Sequence, residues 1–88
     1  MGRIVIDSGV IIKWFVAEPY SAEARRILRG YRAGTVTLLA PDLIYAEVGN
    51  IVWKKQRFQG LPVSTAARIL RVMRRLDISL TSARKLAT

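Results

Sequence analysis

The run Arg3-Ile4-Val5-Ile6-Asp7-Ser8-Gly9 constrains the fold more than any other stretch of the chain. Three consecutive β-branched residues ending in an acid predict a buried strand that delivers one carboxylate to its own C-terminal edge. In open α/β sheets ligands collect outside the carboxyl ends of the strands, near the point where strand order reverses. An N-terminal strand followed by helices is a natural centre for such a sheet, which makes Asp7 a candidate metal or substrate ligand. The run also admits a simpler role, because Asp is a favoured N-cap and a helix begins around Ser8.

The chain of 88 residues has room for one domain, spanning 1–88. It contains neither cysteine nor histidine. That excludes disulfides, thiolate or imidazole metal sites and Ser-His-Asp chemistry. Catalysis would therefore rest on carboxylates, hydroxyls, amides and cations, and carboxylates with water suit hard ions such as Mg²⁺ or Mn²⁺. The formal charge is +9, from 15 Lys and Arg against 6 Asp and Glu. A field of that sign favours polyanions or an acidic protein partner. No apolar run approaches the roughly 20 residues of a membrane span. Asp7 and Lys13 interrupt any signal-peptide core, so the expected location is cytoplasmic.

Periodicity predicts the element order β-α-α-β-α-α-β with part of a last helix. Val10 to Val16 reads as a short, largely buried helix stopped by Glu18-Pro19. Ser21 is expected to cap a second helix to about Arg32, with Ala24, Ile27, Leu28 and Tyr31 on its buried stripe and Gly34 just past its end. Thr35 to Ala40 is a second strand, ended by Pro41. Asp42 is expected to cap a long helix from about Leu43 to Phe58. Ser64 opens a fourth to about Leu76, with Ala66, Ile69, Leu70 and Met73 inward. Asp77 to Leu80 reads as a third strand, and Ala83 to Thr88 as the start of another helix. Helices between all strands imply a parallel sheet. The short last helix and small sheet suggest a domain stopped before completion.

Glu47 is the second informative acid. On the long helix it projects on the flank of the face shared by Ile44, Val48 and Ile51. A carboxylate there needs a cation, a hydrogen bond or open water, since burial without a partner is costly. Asn50 follows one turn later. Asp7 and Glu47 together would make half of a hard-metal site; the competing reading is a salt bridge from Glu47 to one of the arginines.

Three segments resemble the PIN-domain family, and within it the VapC toxins of toxin–antitoxin modules. They are Ile4 to Phe15, the tetrapeptide Ala40-Pro41-Asp42-Leu43, and Glu47 to Lys55. The resemblance implies a three-layer α/β/α fold with a parallel central sheet, here cut to about three strands and four to five helices. It implies a Mg²⁺- or Mn²⁺-dependent endoribonuclease acting on RNA, restrained by an acidic VapB-like antitoxin, and a homodimer. Asp7 matches the family's first metal-binding acid and Glu47 its second. Asn50 matches a polar position that commonly follows, and Ser8 lies in the turn after the first acid. Gly9 stands where the family usually has Ser or Thr. The family's later acids have no counterpart, since Asp77 precedes the third strand and belongs at the opposite end of the sheet. Two carboxylates imply weak metal binding and leave activity of this chain open.

Two further readings come from other functional classes. The chain is then a non-catalytic fragment that binds antitoxin through its basic surface and apolar N-terminal helices, or a nucleic-acid-binding module without catalysis. Against the last, Trp14, Tyr31 and Trp53 all read as packing residues, which leaves no exposed aromatic set for base stacking.

Overall fold

The computed structural model describes residues 2–82, so the helix expected over Ala83–Thr88 lies outside the described residues. The elements run β1 (Gly2–Val5), α1 (Ser8–Lys13), α2 (Ser21–Arg32), β2 (Val36–Pro41), α3 (Ile44–Phe58), α4 (Val63–Arg75) and β3 (Ile78–Thr81). The strands form a parallel sheet in the order β1-β2-β3. This is a mixed α/β architecture, as the alternation of β-rich and helical runs predicts. No helix among the described residues is long and apolar enough to cross a membrane.

Ile4, Leu38 and Ile78 stand in register across the three strands, and Leu38 and Ile78 are buried. With Ile6 and Ala40 they form the floor of the core. The helices cover that floor with Ile11 and Ile12 from α1, Trp14 at its C-cap, Ala24 from α2, Ile44, Val48 and Val52 from α3, and Ala66, Ile69 and Met73 from α4. The other face, with Arg3, Val5, Thr37 and Ser79, is exposed; Val5 is 57% accessible.

Two features depart from expectation. β1 is an edge strand, not the centre of the sheet, and the described residues form two layers instead of three. Both follow from the order of the strands. Right-handed crossovers that always step the chain in one direction place every helix on the same face. A second helical layer requires the chain to turn back across β1, and no described strand does so. The expectation that β1 is buried also fails over most of its length, since Gly2, Arg3 and Val5 are exposed.

The caps also differ. Tyr20, not Ser21, is the N-cap of α2, and it sits in the left-handed region at φ 69°. The Ser21 hydroxyl accepts from the Glu18 N–H at 2.9 Å and donates to the Val16 carbonyl at 3.2 Å. It therefore holds the turn before the helix and is unavailable to cap it. Asp42 does not cap α3 either: Leu43 is the N-cap, and the Asp42 N–H donates to the Thr81 carbonyl. α4 begins at Val63 behind Pro62. Leu70 lies on the flank of its stripe and is exposed.

Trp14 joins the first two helices. Its ring is buried, and Nε1 donates to the Ala24 carbonyl at 2.7 Å. The second close junction is Gly30, where α2 passes β2. A Cβ there would stand 2.9 Å from Val36 Cγ2, on a stiff β-branched side chain. Gly30→Ala is therefore expected to lower stability by about 1–3 kcal/mol despite the better helix propensity of Ala. A urea melt measures this, and an increase in midpoint would contradict it.

Candidate metal centre

The carboxyl end of the sheet gathers the acids of interest. Because the strands are parallel, the residues following β1 and β2 emerge on one edge, and Asp7 and Asp42 both do so. Asp7 is extended, at φ −109° and ψ 176°, and its Oδ1 accepts from the Val10 N–H at 2.9 Å. It is thus an N-cap by geometry, and it is exposed at the sheet edge. Both roles offered by its sequence context are compatible, because Oδ1 serves the helix while Oδ2 has no hydrogen bond among the described residues.

Glu47 reaches this edge from α3. The helix axis carries Ile44, Val48 and Val52 into the core and leaves Glu47 exposed on the flank. The buried Ser8 hydroxyl donates to Glu47 Oε2 at 3.4 Å. This long, weak contact spans 39 residues of sequence and sets the second acid beside the turn that holds the first. The alternative partner, an arginine, is not used. Among the described residues the ion pair is Lys55 with Glu18, at 3.0 Å.

Asn50 lies one turn further along α3, exposed, without a hydrogen bond to Asp7, Ser8 or Glu47. Asp77 is at the opposite end of the sheet, its N–H donating to the Tyr31 hydroxyl at 2.9 Å. Asp42 shares the edge with Asp7 but does not complete a cluster; among the described residues no three acids converge as a metal cage.

Lys13 joins this edge without having stood out in the sequence. A Cβ on Gly9 would lie 3.3 Å from Asp7 Oδ1 and 3.7 Å from Lys13 Nζ, so both groups border the space left by the missing side chain. The signal that could have found it is that Lys13 is the sole charged residue in an otherwise apolar helix.

Asp7, Ser8, Glu47 and Asn50 carry oxygen donors, a set that fits a hard cation and no soft one. Two carboxylates suffice for Mg²⁺ or Mn²⁺ when water and phosphate oxygens fill the remaining positions. The site is open enough for that, since Asp7, Glu47 and Asn50 are all exposed. No protein-family model matches the chain, and comparison with curated proteins returns no match.

Proposed function

We propose that Asp7 and Glu47 are the metal-holding carboxylates of a PIN-type, VapC-like endoribonuclease site acting on RNA phosphodiesters. The observation that carries this reading is the Ser8–Glu47 contact, which puts two acids from distant segments at the carboxyl edge of a parallel sheet. Bound Mg²⁺ or Mn²⁺ supplies polarisation of the phosphodiester and activation of a water. Asp7 and Glu47 would hold the ion, Ser8 orients Glu47, and Asn50 adds an amide to the approach. Lys13 adds positive charge beside Asp7 that favours a phosphate there. In the same reading the three-stranded parallel sheet and its four helices belong to a PIN-like fold. The setting is cytoplasmic and the working form a homodimer. RNA incubated with the chain should be cleaved in Mn²⁺ and spared in EDTA or in Glu47→Gln; equal cleavage in EDTA would overturn the proposal.

A second reading, that of a non-catalytic antitoxin-binding fragment, is favoured by one specific observation. A cavity of about 320 Å³ opens between α1, α2 and α4, floored by Trp14 and Phe15 and rimmed by Arg25, Arg29, Arg32 and Arg68. The Arg68 guanidinium lies 5.7 Å from the Phe15 ring centroid, and none of the four arginines has a carboxylate partner among the described residues. An apolar floor inside unpaired cations suits the helix of an acidic antitoxin. A glutamate- and leucine-rich helical peptide should bind the chain and bind Arg29→Glu/Arg68→Glu at least roughly tenfold more weakly. Equal affinity would remove this reading.

A further inference from the structure

Trp53, expected in the core, lies outside it. It is 55% accessible, and Phe58 nearby is 71% accessible. The two rings meet edge to face, with centroids 5.9 Å apart at 90°. The Arg57 guanidinium lies 5.9 Å from the Phe58 centroid, and Lys54 is exposed. At about 100° per residue, Glu47, Asn50, Lys54 and Arg57 fall along one stripe of α3, with Trp53 and Phe58 on its two sides. The buried side of the helix is occupied by Ile44, Val48 and Val52, so among the described residues this stripe is unpartnered.

Cations alternating with exposed aromatic faces are the chemistry of a single-stranded nucleic-acid track. The cations follow the phosphates, and any base has a face to stack. Lys54 and Arg57 are both without a carboxylate partner among the described residues; their neighbour Lys55 is committed to Glu18. The chain's net charge of +9 favours a polyanion over a second, equally basic copy of the chain on this stripe. From Asn50, one turn beyond the candidate metal ligand Glu47, this face of α3 runs for roughly 12 Å to the level of Phe58.

We infer that the exposed face of α3 from Asn50 to Phe58 is a docking track for single-stranded RNA, with Trp53 and Phe58 stacking bases and Lys54 and Arg57 holding phosphates. The inference rests on the nuclease reading for its direction toward Glu47. Its test does not need cleavage. A fluorescein-labelled single-stranded oligouridylate is titrated with the chain in EDTA and followed by anisotropy.

Trp53→Ala should weaken binding about 5- to 150-fold, as loss of one stacked base predicts. Trp53→Phe should restore most of it. Lys54→Gln/Arg57→Gln should flatten the dependence of log affinity on log salt by about 0.7 for each phosphate no longer neutralised, and Trp53→Ala should leave that slope unchanged. In the wild type, stacking should quench the emission of exposed Trp53 while buried Trp14 stays a spectator. Unchanged affinity in both Trp53→Ala and Phe58→Ala overturns the track. So does a change from dimer to monomer in those variants, by sedimentation, with RNA affinity intact; that result assigns the face to a second copy. Normal stacking and salt behaviour without Mn²⁺-dependent cleavage would leave the track standing and remove the nuclease reading alone.

Discussion

On the proposed nuclease reading, Asp7→Asn is expected to abolish metal-dependent RNA cleavage while leaving the fold intact. The two consequences separate because Asp7 uses its oxygens differently. Oδ1 accepts from the Val10 N–H and starts α1. Asn caps a helix about as well as Asp and keeps a carbonyl oxygen for that bond. The thermal midpoint should therefore stay close to that of the wild type. What Asn lacks is the negative charge on which a hard cation depends. Removing even the partners that orient metal ligands typically costs about 10–100-fold, so loss of a ligand should reach the upper end of that range or beyond. Asp7→Ala should add to this a fall in stability of about 1 kcal/mol from the missing cap. The checks are an Mn²⁺-dependent RNA cleavage assay and a melt on the same preparations. Retained cleavage by Asp7→Asn would remove Asp7 from the metal site.

Trp14→Ala is expected to be the most damaging single truncation in the core. The ring is buried where α1, α2 and the arginine-rimmed cavity meet, and its Nε1 bonds the Ala24 carbonyl. Truncating a buried Trp costs about 3–5 kcal/mol. A domain of this size has on the order of 4–13 kcal/mol of stability in all. Trp14→Ala should therefore shift the urea midpoint sharply downward or leave the chain partly unfolded in water. Trp14→Phe keeps most of the apolar volume and loses the hydrogen bond, for a cost nearer to about 1–2 kcal/mol. Urea unfolding followed by circular dichroism ranks the two. Equal stabilities of Trp14→Ala and the wild type would show that the α1–α2 junction does not depend on this ring.

Much of the architecture is legible in the sequence because it depends on short-range pattern. β-branched runs separated by helical stripes and closed by Gly and Pro give all seven described elements in order. Strand polarity sets Asp7 at the carboxyl edge, helix angle leaves Glu47 on the flank of α3, and the Ser8–Glu47 contact joins the two segments. The departures lie where a residue's surroundings come from elsewhere in the chain. Ser21 and Asp42 have the chemistry of caps, but a turn claims the hydroxyl of one and β3 draws the backbone of the other. The edge position of β1 depends on which strands pair with it, which no local pattern encodes. Trp53 reads as an inward residue because aromatic side chains usually are buried; on α3 the inward positions are already filled by Val48 and Val52.

The strand order also bears on how the molecule forms. Gly2 pairs with Val36, and Leu38 with Ile78, so every rung of the sheet joins residues more than thirty positions apart. No hairpin exists among the described strands to nucleate the ladder, and each pairing must first close a loop containing two helices. Such wiring slows the search for the native state, and the helices gain their lasting burial only when the strands arrive. Until then the Ile4-Val5-Ile6 segment is open to pairing on both sides, where the described sheet covers one of them with β2, and it is the part of the nascent chain most exposed to the wrong neighbour.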